Sequence, residues 1–314
     1  MAMTDTRKAF LQIHFCVVLW GFTAILGKMI SLPALPLVWW RLLIVVAALA
    51  LVPRVWRGLR AMRPRLMLAY AGIGALVALH WLTFYGAIKL SNASVGATCI
   101  ALGTVFVAMI EPWLTNTRFS KRELALGVLV LPGVVLVVGG VPHGMRAGIA
   151  VGALSAFLVA IFGSLNKRLV EHGDPLTVTA LELGAGAIVL TALAPLMPLI
   201  FPAFAGDLLV VPGTRDALLL LGLSLACTLL PFTLSLVALR HMSAFAQQLA
   251  VNLEPVYAIA LAALLLGEQR ELSGQFYLGV VIILAAVFIH PLLGQPHRLQ
   301  PELLGTSESK GAAE

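Results

Sequence analysis

The stretch AIKLSNA, residues 87–93, returns as ALRHMSA at residues 238–244, both fitting A-[IL]-[KR]-x-x-[NS]-A. Carrying that offset forward pairs Ile100 with Val251, Leu102 with Leu253, Val105 with Val256 and Phe106 with Tyr257. Nearer the start of each half, LGKMISLPALPL loosely resembles SLNKRLVEHGDPL, aligning Lys28 with Lys167 and Pro36 with Pro175. Self-similarity at a fixed spacing indicates one structural unit used twice. What the unit is depends on the solvent around it.

The 314 residues are 60% hydrophobic and 11% charged, with a mean hydropathy of +0.99. A soluble domain carries about 25% charged residues, so this composition cannot furnish a water-facing surface. The apolar residues fall in blocks of about 20, the length a helix needs to cross hydrocarbon. Charge and turn punctuation divide them into ten expected helices at 10–30, 36–53, 66–88, 93–114, 123–140, 147–166, 174–200, 216–239, 243–266 and 273–293. Pro195 and Pro198 make the end of the seventh the least secure. The start of the chain reads as a retained first span, because its apolar stretch is too long for a signal peptide and shows no cleavage site. The polar tail 294–314 is expected to be a disordered cytoplasmic segment.

The net charge of +7 does not point to nucleic acid, because the basic residues sit in short breaks between apolar blocks. With the N-terminus inside, fifteen of the 21 Lys and Arg residues fall on the cytoplasmic side. Lys28, Lys89, Arg146, Arg215 and Arg270 fall outside, and Arg41 is left within a span. That asymmetry follows the positive-inside rule and puts both termini in the cytoplasm. A repeat of five helices is odd, so the second copy enters the membrane upside down, and Lys89 outside against Arg240 inside agrees with this. The expected fold is therefore an all-α membrane protein of ten transmembrane helices in two inverted five-helix repeats, 10–140 and 147–293. Inverted repeats characterise transporters whose site lies near the bilayer midplane.

The order of motifs resembles a known family. Trp20, Gly21, Lys28, Pro36 and Arg41 match the W-G…K…P…R pattern of EamA-type transporters. In the second half Ala238, Arg240, Glu254, Pro255, Gly267 and Glu268 match that family's A-L-[KR]…LEPV…LGE signature. The resemblance spans about residues 10–293 and implies the drug/metabolite transporter superfamily, with a central cavity between two inverted repeats. Members move amino acids, small metabolites, nucleotide sugars or organic cations, often as exporters. One departure stands out: Glu254 pairs with Gly103, while Glu111–Pro112 falls eight residues later, so the two halves differ at the centre.

Glu254 is the leading candidate for chemistry. A charge at mid-bilayer costs about 2.5–3.5 kcal/mol, so it faces a cavity or a partner. Pro255 cannot donate to the Val251 carbonyl, which leaves an acceptor free beside the carboxylate, and Gln247, Glu254 and Tyr257 are expected on one helical face. Glu254 is then either a substrate or proton site or a lock between helices. Arg41, behind Trp39 and Trp40, reads as an interfacial Arg snorkelling outward, with an anion-binding guanidinium as the alternative. Glu182 reads as pairing with another helix, or else lining the cavity. Trp81 and Tyr85, four residues apart, read as core packing or as a substrate wall. Trp20, from the family motif, completes the candidate lining. His14, His80 and His290 read as hydrogen-bonded helix residues, and Ser224, Thr228 and Thr233 as polar groups that satisfy the backbone freed by Pro231.

Neither a phosphate-binding G-x-x-x-x-G-K-[ST] loop nor a hydrolase or metalloprotease motif occurs. Cys16, Cys99 and Cys227 lack metal-ligand spacing. No cofactor, metal or catalytic residue is expected; the partners are a small-molecule substrate, membrane lipid and, for coupling, protons. The chain is expected in the cell (inner) membrane as a secondary transporter exporting amino acids or similar metabolites. A drug or organic-cation exporter and a lipid-linked sugar flippase are same-fold alternatives, and an integral-membrane enzyme the different-class one.

Overall fold

The computed structural model describes residues 4–293 and is built of helices: α1 (Asp5–Met29), α2 (Ala34–Ala50), α3 (Pro53–Ala61), α4 (Pro64–Leu90), α5 (Ala93–Thr115), α6 (Lys121–Gly139), α7 (His143–His172), α8 (Pro175–Leu193), α9 (Thr214–Leu239), α10 (Ala244–Leu265) and α11 (Gly274–Leu293). Among the described residues eight of these are long and apolar enough to cross a membrane. α2 and α3 together would make a ninth but bend by 92° at their junction, and α11 holds a shorter apolar run, Gly274–Ala285. Leu68, Trp113, Ile188 and Leu264 point outward at 72–86% exposure, a surface suited to lipid.

Two helix ends depart from the sequence expectation. The second apolar block stops at Ala50, and Pro53 opens the amphipathic α3, whose Arg54, Arg57 and Arg60 are exposed. α8 ends at Leu193 instead of residue 200: Ala194 keeps helical backbone angles, but Pro195 has no N–H with which to continue the helical ladder. The tail 294–314 lies outside the described residues.

The repeated motif has a structural meaning in both copies. Asn92 and Ser243, its polar position, are N-caps: they accept from the N–H groups of Val95 (2.9 Å) and Ala246 (3.0 Å) and so start α5 and α10. Its basic position reaches the end of another helix. Lys89 donates to the Ile30 carbonyl after α1, and Arg240 to the Val170 (3.3 Å) and Gly173 (2.9 Å) carbonyls at the end of α7. Lys28 and Lys167 return the favour, donating to Ser91 O just after α4 (3.1 Å) and Leu239 O at the end of α9 (2.8 Å). Cations on free C-terminal carbonyls are favourable through both hydrogen bonding and the helix dipole. The first and third spans of each half are thus tied end to end by the same pair of cations.

The two halves are joined by their fourth spans. The Glu111 carboxylate, near the end of α5, accepts from the N–H groups of Ala244 (2.8 Å) and Phe245 (2.7 Å), which begin α10. Glu268, just beyond α10, accepts from the N–H groups of Ala93 and Ser94 (2.9 Å each) and the Ser94 hydroxyl (2.7 Å), which begin α5. Each helix starts where the other ends, so α5 and α10 run antiparallel. Where they cross, Gln248 Nε2 donates to Ile100 O (3.3 Å) and Asn252 Nδ2 to Thr104 Oγ1 (2.6 Å). The last helices of the two halves, α6 and α11, also meet closely, for a Cβ on Gly133 would lie 2.6 Å from the Gly279 carbonyl oxygen.

Removing Glu268 leaves three donors at the start of α5 without their acceptor. Glu268→Ala is expected to destabilise the protein by roughly 3 kcal/mol, with Glu111→Ala costing somewhat less. The two ends are far apart, so the losses should add. Thermal unfolding in detergent checks this; midpoints within a degree or two of wild type would show that the carboxylates do not hold these helices.

Candidate functional site

Glu254 and Pro255 sit together because α10 is not one helix. It loses α-helical continuity at Asn252 and Leu253, and Glu254 opens its second segment with Pro255 in the first turn. A proline there forfeits no hydrogen bond, and a carboxylate at a helix N-terminus meets the favourable end of the dipole. The matching place in α5 carries one turn of 3-10 helix, Ile100–Leu102. Both fourth spans are therefore interrupted at corresponding depth, where the two halves cross. The expectation of one continuous face fails at this break. Gln247 and Glu254 line a cavity, whereas Tyr257 turns outward at 37% exposure and backs onto α1, where a Cβ on Gly21 would lie 2.5 Å from its own Cβ.

The cavity lies between the halves and holds about 830 Å³, counting the part open to solvent. Its walls come from α1, α2, α4 and α5 on one side and α7, α9 and α10 on the other. It runs from Arg41 and Phe84 toward Leu239 and Ala244, the end of the molecule that carries Arg240, Lys167 and the Arg54–Asp174 ion pair. Most of the lining is apolar and aromatic, including Trp20, Trp81 and Phe232, with Thr23, Ser235, Gln247 and Gln248 interspersed.

Arg41 is the largest departure from expectation. It does not snorkel; it is 1% exposed and sits at the cavity floor. Its Nε donates to Thr228 Oγ1 (2.6 Å), its Nη1 to the Tyr85 hydroxyl (3.0 Å), and its guanidinium carbon lies 3.8 Å from the Trp81 ring centroid. Stacking on an indole face and two fixed acceptors hold the planar fork in one orientation. Nη2 has no hydrogen-bond partner among the described residues. Trp81 thus lines the cavity and packs edge-on against Phe232, while Tyr85, fully buried, supports Arg41 from below.

Glu254 is 6% exposed and faces the same cavity. No described residue donates a hydrogen bond to its carboxylate, and no cation, Arg41 included, lies within 4.0 Å of it. One cavity therefore holds a guanidinium and a carboxyl group that form no ion pair with each other. Glu182 is elsewhere: it is 0% exposed, accepts from Asn166 Nδ2 (3.3 Å), and does not line the cavity.

The remaining polar residues divide. His14 is exposed and bonds the Phe10 carbonyl one turn back (2.7 Å). His80, read like the other two as a hydrogen-bonded helix residue, lines the cavity while its Nδ1 contacts Ser155 on α7, 2.9 Å from the carbonyl and 2.8 Å from the hydroxyl oxygen. The side chain of His290 lies outside those described. Of the three hydroxyls near Pro231, Thr228 donates to the Leu223 carbonyl (2.6 Å) across a π-helical stretch, Gly222–Leu229. Thr233 instead meets Thr179 (3.2 Å), and the Ser224 hydroxyl is buried without a partner. Thr228 thus serves the π-helical stretch, and none of the three bonds the Cys227 carbonyl four residues before Pro231, where the expectation placed them. The three cysteines are buried and free.

None of the curated proteins compared with this chain matches it significantly. A solved crystal structure superposes with a TM-score of 0.65 at 17% identity, over 91% of this chain and 97% of its own, which shows a shared fold. The model of the EamA-like transporter family matches twice, at residues 7–139 and 146–290. Two successive matches covering nearly all of a multi-pass membrane chain mean that this protein belongs to the EamA-like transporter family of the drug/metabolite transporter superfamily.

Proposed function

We propose that the protein is a secondary active transporter that exports amino acids or similarly small zwitterions by alternating access. The observation that carries this is the unpaired Arg41 and Glu254 in one largely apolar cavity. A zwitterion supplies the missing partner to each. Its carboxylate meets the free edge of the Arg41 fork, and its ammonium meets Glu254, while Trp20, Trp81 and Phe232 enclose the side chain. An ion-pair partner of either sign alone would leave the other buried charge uncompensated, which is costly in such a site.

The direction follows from charge. The cavity reaches toward the end where the chain concentrates its basic residues, and the positive-inside rule assigns that end and both termini to the cytoplasm. Ten crossings in two inverted repeats, in the cell (inner) membrane, fit the alternation of helix ends. At one end lie the contacts of Lys28, Lys89 and Glu268, and at the other those of Arg240, Lys167 and Glu111. A cytoplasm-facing cavity loads substrate for export. Rocking of the halves about the α5–α10 crossing then exposes it to the other side.

Uptake into proteoliposomes of an amino-acid panel, with decarboxylated and deaminated analogues as competitors, tests the substrate class. Both competitors should be at least tenfold weaker than the parent amino acid, since each forfeits one charge-assisted contact worth about 1.5–3 kcal/mol. Decarboxylated amines moved as well as amino acids would favour an organic-cation exporter instead.

Arg41→Lys is expected to keep the charge but lose the fork and the indole stack, raising KM roughly tenfold or more. Unchanged KM would remove Arg41 from recognition. Glu254→Gln should lose the ammonium partner and raise KM for amino acids roughly tenfold or more; a KM equal to wild type at every pH would make Glu254 structural.

A further inference from the structure

Outside the cavity, one buried cluster has unmet hydrogen-bonding capacity of a specific kind. Glu182 on α8 and Asn166 on α7 are 0% and 3% exposed. Asn166 Nδ2 donates to Glu182 Oε2 at 3.3 Å. The other two oxygens, Glu182 Oε1 and Asn166 Oδ1, are both buried and both lack a donor. Two orphaned acceptors beside one satisfied bond are what remains of a carboxyl–amide pair when one hydrogen is not drawn.

No counter-charge answers the carboxylate. Among the described residues no Lys, Arg or His nitrogen lies within 4.0 Å of Glu182. The neighbouring ionisable groups are engaged elsewhere. From α4, the Tyr70 hydroxyl donates to the Leu169 carbonyl (2.7 Å). Beyond α9, Arg240 is held by the Val170 and Gly173 carbonyls. From α3, Arg54 pairs with Asp174. α2 contributes only Arg41, which is fixed at the cavity floor. An ionised Glu182 would thus be a fully buried anion with a single amide donor, an arrangement proteins avoid.

We propose that Glu182 and Asn166 form a proton-binding site. A proton on Glu182 Oε1 is donated in a hydrogen bond to Asn166 Oδ1, while Asn166 Nδ2 donates to Oε2, closing a cyclic acid–amide pair that satisfies all four atoms. Binding makes one O–H bond and takes the carboxyl from −1 to 0; release returns that proton to water and changes nothing else. The step needs no co-reactant beyond a proton from the adjoining compartment.

The repeat relation says what the site does, on the premise that the protein works by alternating access. The alignment of Lys28 with Lys167 places Asn166 opposite Gly27 and puts Glu182 two residues beyond the counterpart of Arg41. The second span of each half therefore carries one buried ionisable group at nearly the same depth from its own starting end. In this state Arg41 faces the open cavity and Glu182 is sealed against α4, where a Cβ on Gly74 would lie 2.0 Å from the Glu182 carbonyl oxygen. When the halves exchange conformations, Glu182 takes the position at the cavity floor and exchanges its proton with the opposite compartment. Glu182 then carries the coupling proton, at a place separate from the substrate charges.

Infrared spectra of the purified full-length protein at neutral pH, recorded before and after exchange into deuterium oxide, decide the first half. Wild type and Glu254→Gln should both show the carbonyl stretch of a protonated carboxylic acid that Glu182→Gln lacks. Glu182→Gln should keep the wild-type melting midpoint, because a glutamine amide offers the same donor and acceptor to Asn166. Asn166→Leu should shift the band without abolishing it, a readout that stands even if Glu182→Gln folds poorly. A band set unchanged in Glu182→Gln and in Asn166→Leu overturns the site. In proteoliposomes, Glu182→Gln should retain substrate exchange but lose accumulation driven by a proton gradient; full accumulation overturns its coupling role. If wild type moves no amino acid, the proposed substrate class falls, while the infrared arms still decide the proton site.

Discussion

Two carboxylates, Glu111 and Glu268, grip the starts of α10 and α5, and most of the molecule is organised by that exchange. In hydrocarbon a free N–H group has no water to turn to, so a helix that begins inside the protein needs an acceptor supplied from elsewhere. Here each fourth span supplies it to the other. The bond pair fixes the two helices antiparallel and sets where they cross. It also leaves the middle of both, at Ile100–Leu102 and Asn252–Leu253, free to depart from regular α-helix.

That departure creates the site. A continuous α10 would send Glu254 and Tyr257 along one face and leave Pro255 as a defect. The break lets Glu254 start a new helical segment facing the cavity while Tyr257 turns to the outside. The opposite wall is built with equal care: Thr228, Tyr85 and the Trp81 ring constrain a guanidinium that would otherwise be mobile. The cavity thus holds a guanidinium and a carboxyl group on separate helices, α2 and α10, with no ion pair between them.

The same economy recurs at the helix ends. Lys28 with Lys89, and Lys167 with Arg240, tie the first and third spans within each half, so each half is a stiff unit whose polar ends are satisfied internally. Between the halves the packing is broad: α4 lies against α7 and α8 and α1 against α9, in addition to the α5–α10 crossing.

The class and the repeat were legible because they rest on periodic, local signals: block lengths matched to a bilayer, a motif that recurs, and basic residues concentrated in alternate breaks. The motif's cap residues, Asn92 and Ser243, are likewise local, acting on N–H groups three positions ahead. What the sequence could not decide was the role of isolated polar residues. Arg41 lies seven positions into α2, a depth equally compatible with an interface and a cavity floor; Thr228 and Tyr85, remote in the chain, settle it. Glu111 and Glu268 stood out in the motifs but without a role, because their partners are backbone groups more than a hundred residues away, which leave no trace in side-chain pattern. The sequence determined which solvent the protein lives in and that its fold is doubled. Only the tertiary structure decided which of its few buried charges face each other, because in a helix bundle that depends on how the helices are rotated and where they break.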